Sequence, residues 1–202
     1  MEKVFGHQSR PAECRAARLP HKRIFNTVKI MKISVKADAL AHLIFWPTFA
    51  AGLFLDLWSK DAVHNYLNAS NIDSVSIING FLQIVTALND GAAFGIASGQ
   101  IKFLMAISTI ALIVVLIIFM FGSLKNEFFY LALGFLAAGI SGNFYDRLFN
   151  NGMVRDFIDV YVGTHHWPAF NAADSLLCTA VGLIILLSFT GLLSRRLYHR
   201  QK

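Results

Sequence analysis

The sequence predicts an all-α membrane protein with four transmembrane helices and a small extracytoplasmic sheet between helices 1 and 2. Three observations predict this class. The chain is 55% hydrophobic and only 15% charged, its apolar residues are gathered into four long blocks, and its basic residues lie mostly at its two ends. A soluble domain usually has about a quarter charged residues, so the composition indicates a chain that lies largely in lipid.

Each apolar block is long enough to cross a bilayer. At 1.5 Å of rise per residue, a helix of this length extends about 27–29 Å, close to the hydrocarbon thickness. Buried helices of soluble proteins rarely lack a polar face, yet these blocks contain a single charge, Asp56 near the end of the first. The predicted helices are 40–58, 103–121, 128–145 and 175–193.

The basic residues predict the orientation of the chain. Nine of the 18 Lys and Arg lie in residues 1–40, and Lys125 lies in the short turn between the second and third blocks. Positive residues mark the cytoplasmic side, so both termini are expected in the cytoplasm and residues 59–102 and 146–174 outside. The net charge of +6 favours membrane phospholipids with anionic headgroups. No nucleic-acid partner is expected, because no basic patch is interleaved with a soluble fold.

The domain boundaries follow from the same blocks. Residues 37–194 are the predicted four-helix membrane domain, and residues 195–202 are a basic cytoplasmic tail. Residues 1–36 are basic and polar and lack the apolar core of a signal peptide. Two interpretations stay open for them: a disordered cytoplasmic extension, or a stretch upstream of a start at Met31.

The outer segment 75–97 is rich in β-forming residues. Val, Ile, Phe and Thr dominate it, and the turn dipeptides Asn79-Gly80 and Asp90-Gly91 interrupt it. This pattern predicts short strands that form a small hairpin or sheet. Because the segment is too small to fold alone, we expect it to rest on the helix ends and the bilayer surface.

Metal, cofactor and disulfide chemistry are not expected. Cys14 belongs to the basic N-terminal segment and Cys178 to the fourth helix, so the two thiols should lie at different levels. His165 and His166 are adjacent in a predicted loop, without partners at ligand spacing.

Polar residues gather at the outer ends of three predicted helices. Asp56 and Lys60 are four residues apart with the acid first, which is the better orientation for an ion pair. The third and fourth helices contribute Asn143 with Arg147, and Asn171 with Asp174. Interhelical hydrogen bonds, or an ion pair of Arg147 with a carboxylate, would explain any one of them. Packing alone does not need so many costly groups at one depth.

Two acids on different elements suit the chemistry of an aspartic protease. Asp156 in a predicted loop and Asp174 at a helix start could share one proton, because two close carboxylates cannot both ionise cheaply. Asp159 is interpreted as a loop or structural acid. Two alternatives are a quinone-dependent or lipid-modifying enzyme with acids as proton relays, and a non-enzymatic small transporter or assembly scaffold. A transporter should have its polar residues near the bilayer midplane, whereas here they gather at one end.

Five motifs follow one another between residues 56 and 175: "DLWSK", "NDGAAFG", "GISGNFYDR", "VRDFIDV" and "WPAFNAADS". Their combination and order closely resemble the lipoprotein signal peptidase family, the bacterial type II signal peptidases. The four-helix layout extends the resemblance to about residue 194. The basic N-terminal segment of 36 residues departs from the usual short start of the family.

The resemblance implies a four-helix aspartyl endopeptidase of the bacterial inner membrane, without a cofactor and with an outer β-cradle. It would remove the signal peptide from diacylglyceryl-modified prolipoproteins by cleaving before the lipidated cysteine, and globomycin-type peptides would inhibit it. Asp156 and Asp174 would be the catalytic pair. Eight further positions would bind substrate or support the site: Asp56, Lys60, Asn89, Gly91, Asn143, Arg147, Asn171 and Ala173.

Overall fold

The computed structural model describes the backbone of residues 21–92, 95–122, 124 and 126–200, and side chains from residue 39 to residue 190 with the same gaps. The chain divides into two units, Met1–Asp38 and Ala39–Lys202. Only a helical backbone from His21 onward is described in the first unit, and the site lies in the second. The predicted extension and tail fall mostly outside the residues with described side chains, so the domain division stays a prediction.

Four long helices account for most of the described chain. Each contains a region long and apolar enough to cross a membrane. These regions are Ala39–Ser70, Ile101–Phe121, Glu127–Phe149 and Ala172–Thr190. They confirm the predicted class of four-helix membrane protein with a small sheet. The full helices are α1 His21–Ser70, α2 Ile101–Phe121, α3 Glu127–Phe149 and α4 Ala172–Arg200.

Helix α1 continues well past the predicted end at residue 58. Val63 and Leu67 keep the helical spacing of apolar residues beyond Lys60, and Leu67 is fully buried. The C-terminal end of α1 therefore extends beyond the predicted span and lies beside the sheet, where Val63 and Leu67 line one pocket with Val75 and Ile84.

The ends of α3 have local causes. The side chain of Asn126 accepts a hydrogen bond from the Phe128 N–H at 3.0 Å, which caps the first turn. At the other end Asn151 and Gly152 both have a positive φ, of 50° and 85°. This left-handed backbone ends the helix and turns the chain toward the next strand.

A four-stranded antiparallel sheet lies between and beside the helix ends, in the order β1-β2-β3-β4. The predicted hairpin is β1 and β2, joined by the turn at Asn79-Gly80. The strands are β1 Ser74–Ile78, β2 Leu82–Asn89, β3 Val154–Val162 and β4 His165–His166.

Strands β3 and β4 were not expected. They lie between α3 and α4, so the sheet is not confined to the segment between helices 1 and 2. The expectation that Asp156 lies in a loop was wrong, because it is in the middle of β3 and is 1% exposed. Acidic residues in a strand normally lie on its solvent-exposed face. In β3 Asp156 and Asp159 are both buried, so the sequence does not show the usual alternation of polar and apolar residues.

Small residues let the helices approach one another near the site. A Cβ atom on Gly139 would lie 2.6 Å from the carbonyl oxygen of Ala173, so α3 and α4 are in close contact there. A Cβ on Gly142 would clash with the carboxylate of Asp56. Glycine at these two positions therefore brings α1, α3 and α4 together at one level.

Candidate active site

A cavity of about 1000 Å³ opens where β2, α2, α3 and α4 meet. Its polar side chains come from β2, β3, the last turns of α3 and the start of α4, and its apolar ones lie farther along the helices. The polar group comprises Asn89, Asn143, Arg147, Asp156 and Asp174, and the apolar group includes Leu104, Ile107, Ala111, Ile140 and Leu177. The cavity therefore joins a polar rim to a surface that suits hydrocarbon.

Asp174 is fixed by the start of α4. The Asn171 side-chain oxygen accepts from the Asp174 N–H at 3.0 Å, and Asp174 Oδ2 accepts from the Asn171 N–H at 3.1 Å. This reciprocal arrangement is a capping box, which satisfies two backbone donors at once. A helix N-terminus favours a negative charge, so the carboxylate lies where an anion is stabilised.

Asp156 is held by two side-chain amides. Asn171 Nδ2 donates to its Oδ1 at 2.7 Å, and Asn89 Nδ2 donates to its Oδ2 at 3.0 Å. Asn89 reaches it from β2, because the two residues lie diagonally on the same face of neighbouring strands. Both acids thus contact Asn171, which brings them to one rim of the cavity.

Burial, and after it the nearby negative charge of Asp174, raise the pKa of Asp156 from 3.8 to about 6. The amide hydrogen bonds from Asn89 and Asn171 and the more distant charge of Lys60 act in the opposite direction. Desolvation outweighs these stabilising contacts. Asp156 can therefore take up and release a proton close to neutral pH.

Asn143 connects the pair to the interior. Its Nδ2 donates to Asp174 Oδ1 at 2.8 Å, while its Oδ1 accepts from Asn171 Nδ2 and from Lys60 Nζ, each at 3.0 Å. The Asn143 amide thus donates one hydrogen bond and accepts two, and these three contacts fix its orientation.

A second group of acids lies behind Asn143 and is neutralised by cations. Lys60 is fully buried and lies 2.8 Å from Asp56 and 3.3 Å from Asp146. Arg155 lies 2.7 Å from Asp146 and also pairs with Asp61. Sequence reasoning missed Asp146 and Arg155 as parts of the site; the spacing of Asp146 four residues after Gly142 was the available signal.

Asp56 also ties α1 to α4. Its Oδ1 accepts from the backbone N–H of Ala173 at 2.8 Å. That donor belongs to the first turn of α4 and has no partner within the helix. The predicted role of Ala173 near the site therefore has a physical basis in its backbone, and its buried methyl group leaves room for the neighbouring helix.

Arg147 binds backbone rather than a carboxylate. Its guanidinium donates to the carbonyl oxygens of Gly91, at 2.7 Å, and Asn143, at 3.3 Å. The Gly91 N–H in turn donates to Asn89 Oδ1 at 2.9 Å. Among the described residues Arg147 has no ion-pair partner within 4.0 Å, so the alternative of an ion pair with a carboxylate does not hold. Arg147 instead holds the loop after β2 by its backbone.

The structure thus brings all ten predicted site residues into one connected region, with their roles left as a prediction. Asp159 lies elsewhere, on the other face of β3, and pairs with His166 at 2.8 Å. The loop predicted for His165 and His166 is instead the short strand β4. Cys14 lies outside the described residues, and Cys178 is a free thiol.

Four helices able to span a membrane, with Asp156 and Asp174 at the polar rim of one cavity, define a multi-pass membrane protein with a site of the aspartic-protease type. The chain belongs to the signal peptidase II family, whose model matches residues 48–190. The predicted family and enzyme class are thereby confirmed. A protease of this family removes signal peptides from prolipoproteins.

Individual relatives support the same assignment. The lipoprotein signal peptidase of Halalkalibacterium halodurans is 34% identical over 144 residues, which cover 71% of this chain and 90% of the relative. That of Staphylococcus haemolyticus is 38% identical over 134 residues, covering 66% and 83%. A bacterial membrane enzyme solved by the in meso method superposes with a TM-score of 0.62 at 36% identity, covering 71% of this chain and 85% of that one.

Proposed function

We propose that this chain cleaves diacylglyceryl-modified prolipoproteins immediately before the lipidated cysteine, with Asp156 and Asp174 as the catalytic pair. The observation that supports it most is the shared contact of both carboxylates with Asn171 at the polar rim of the cavity. The family membership makes a transporter or scaffold the less favoured interpretation, and the polar residues gather at one end of the helices.

The two acids have different tasks in this mechanism. Asp174, at the helix N-terminus, is the ionised partner and takes a proton from a water molecule as its oxygen attacks the scissile carbonyl carbon. Asp156, whose pKa is raised to about 6, is the protonated partner and donates to the carbonyl oxygen. When the C–N bond breaks, the leaving nitrogen takes the proton held by Asp174, and the carbonyl re-forms as the oxygen returns its proton to Asp156.

The surrounding amides keep the pair in place during this exchange. Asn89 and Asn171 hold Asp156, and Asn143 holds Asp174. Arg147 and Gly91 keep the loop after β2, and with it Asn89, against α3. Asp56, Lys60 and Ala173 fix the start of α4. We assign these residues supporting roles, because preorganised hydrogen bonds stabilise a transition state without reorganisation.

The cavity suits a substrate anchored in lipid. Diacylglyceryl chains can lie along its apolar part, between α2 and α4, while the peptide crosses the polar rim. Gly91 and Ala92 on the rim have little or no side chain, which leaves space for an extended backbone. Lipid anchoring would thus supply binding energy that a soluble protease obtains from a deep side-chain pocket. A globomycin-type peptide would inhibit by occupying the same rim.

We assign the protein to the bacterial inner membrane, with both termini cytoplasmic and the site at the outer face. The charge distribution supports this orientation. Reporter fusions at residues 30, 125 and 200 should be cytoplasmic, and fusions near residues 70 and 163 should be external. An external C-terminus would contradict the orientation.

The direct test uses purified full-length protein and a diacylglyceryl-modified prolipoprotein, followed by mass spectrometry. Loss of the signal peptide, with the new N-terminus at the lipidated cysteine, is expected. The same precursor without the lipid is the control and should be cut far more slowly. Cleavage of both forms at equal rates would contradict the proposed role of the lipid.

A further inference from the structure

Asp159 forms a second hydrogen-bonded cluster on the outer sheet, separate from the catalytic pair. Asp159 is buried, and its carboxylate accepts from Gln83 Nε2 at 2.6 Å and from His166 Nδ1 at 2.8 Å. Gln83, Asp159 and His166 are here named the outer clasp. Side chains alternate between the two faces of a strand, and Asp159 lies three positions after Asp156. The two carboxylates therefore lie on opposite faces of β3.

The outer clasp joins three strands. Gln83 lies in β2 directly opposite Asp159 in β3, and His166 is in β4. The ring of Tyr161 stacks on His166 with centroids 5.2 Å apart, and the Tyr161 hydroxyl accepts from the Gly80 N–H at 3.1 Å. The clasp is therefore linked both to the β1–β2 turn and to the edge of the sheet.

The segment that follows His166 forms a wall of the cavity. Trp167, Pro168, Ala169 and Phe170 all line it, and the next residue is Asn171. These four residues, 167–170, are here named the rim wall. The rim wall therefore separates the outer clasp from the amide that contacts both catalytic acids.

Backbone hydrogen bonds hold the rim wall at its two ends. The Trp167 N–H donates to the Val160 carbonyl at 2.8 Å, and Phe170 exchanges hydrogen bonds with Ile158 at 3.0 and 2.9 Å. The Phe170 carbonyl also accepts from the Phe157 N–H at 3.1 Å. Trp167 and Phe170 are three residues apart, whereas their partners Val160 and Ile158 are two apart. The rim wall therefore has one extra residue and bulges between these two hydrogen-bonded positions. Pro168 has no N–H to donate within the bulge.

The side chains of the outer clasp help to hold β4 against β3. β4 has only two residues, and a strand that short supplies few ladder bonds. A hydrogen bond to a carboxylate is stronger than one between neutral groups. His166 immediately precedes the first backbone anchor of the wall, so its bond to Asp159 fixes the place where the bulge starts.

We propose that Asp159 and His166 are positioning residues that set the fit of the rim wall to the substrate beside the scissile bond. This inference rests on the proposed function. It assigns to the clasp an effect on substrate affinity rather than on the proton transfer. Asp159 thus acts through the wall, and Asp156 and Asp174 act on the reacting atoms.

Three substitutions at His166 separate its two contacts. His166→Asn keeps a donor near the position of Nδ1 but removes the ring, His166→Phe keeps the stacked ring but removes the donor, and His166→Ala removes both. We expect KM to rise about 10-fold for Phe and Ala, the size typical of a lost hydrogen bond to a charged group, with kcat within about twofold of wild type. His166→Asn should restore most of the affinity. His165→Ala, the exposed neighbour, is the matched control.

Binding gives a readout that does not depend on turnover. The dissociation constant of a fluorescently labelled, diacylglyceryl-modified prolipoprotein is measured in the Asp156→Asn background, with and without His166→Phe. A rise matching that in KM is expected. Unchanged affinity, or a fall in kcat with unchanged KM and a lower melting temperature, would overturn the inference, as would failure of His166→Phe to fold. A wild type that binds but does not cleave would instead contradict the proposed function.

Discussion

Two pairs of aspartates lie within the same connected region, and they differ in the groups that surround their carboxylates. Asp56 and Asp146 share the buried ammonium group of Lys60, and Asp146 also binds Arg155. Asp156 and Asp174 receive their side-chain hydrogen bonds from the amides of asparagines. Among the described residues, no Lys or Arg forms an ion pair with either of them.

The difference separates structural acids from reactive ones. A carboxylate paired with a buried cation holds helices together, and the cation would be costly to leave alone. Burial raises the pKa of Asp156, the charge of Asp174 acts in the same direction, and the amide hydrogen bonds only partly oppose them. Asp156, which forms no ion pair with a Lys or Arg within 4.0 Å among the described residues, is therefore placed to exchange a proton.

The largest effect is expected in the cation-paired region. Lys60→Met leaves Asp56 and Asp146 buried without their shared cation, and breaking such a pair typically costs about 3–5 kcal/mol. Melting temperature in detergent should fall strongly. Lys102→Met, at an exposed lysine, is the control and should melt like wild type. A Lys60→Met protein as stable as this control would show that the buried charges are not coupled.

The opposite effect is expected for Asp156→Asn above pH 6. The raised pKa of Asp156, from 3.8 to about 6, means that ionisation opposes folding. The penalty is absent below about pH 4 and is complete above about pH 6, where it reaches about 3 kcal/mol at most. Asparagine cannot ionise, so the variant should melt higher than wild type at pH 7 and like it at pH 4. Asp73→Asn, at an exposed acid, should show no such pH dependence; equal curves for all three proteins would contradict the raised pKa.

Arg147→Ala should destabilise the fold by an intermediate amount. The change leaves the buried carbonyl oxygen of Gly91 without its donor, which typically costs about 1–3 kcal/mol. It should therefore lower the melting temperature below that of wild type, which Asp156→Asn should not do at the same pH. Arg147→Lys keeps one donor and should melt between Arg147→Ala and wild type. Equal stability of Arg147→Ala and wild type would show that the arginine is merely solvated.

The smallest effect concerns the amide donor from β2. Asn89 stabilises the ionised form of Asp156, so Asn89→Leu should raise the pKa of Asp156 further. Because the protonated form of Asp156 is the active one, kcat/KM should fall as the pH rises. The midpoint of this fall should lie at a higher pH in Asn89→Leu than in wild type, by less than about one pH unit. A decline at lower pH would contradict the assignment of the proton to Asp156.

The sequence alone predicted the helices well, because lipid imposes a requirement on every residue of a spanning segment. The Asp56–Lys60 pair was also predictable, since four residues along a helix always place two side chains on one face. Strand β3 was not, because its acids are buried by contacts with distant parts of the chain. Arg155, which binds Asp146 and Asp61 from that strand, was missed for the same reason.

Asp159 shows a second limit of sequence reasoning. Its place in "RDFID" makes it a natural control for Asp156, yet it is buried and bonded to two side chains. Which of the two acids faces the cavity depends on the pairing of β3 with β2, which no local pattern specifies. Asp73, exposed and outside the site, is the better control.

The most direct test compares Asp→Asn changes in the two acid pairs, with prolipoprotein cleavage and melting temperature measured on each protein. Asp156→Asn and Asp174→Asn should each abolish cleavage with the fold intact, and the double variant should be scarcely worse than either, because the two acids act as a unit. Asp56→Asn should lower the melting temperature and reduce cleavage per folded molecule without abolishing it, because Asp56 acts on Asp174 only through the start of α4. Substantial cleavage by folded Asp156→Asn or Asp174→Asn would contradict the account.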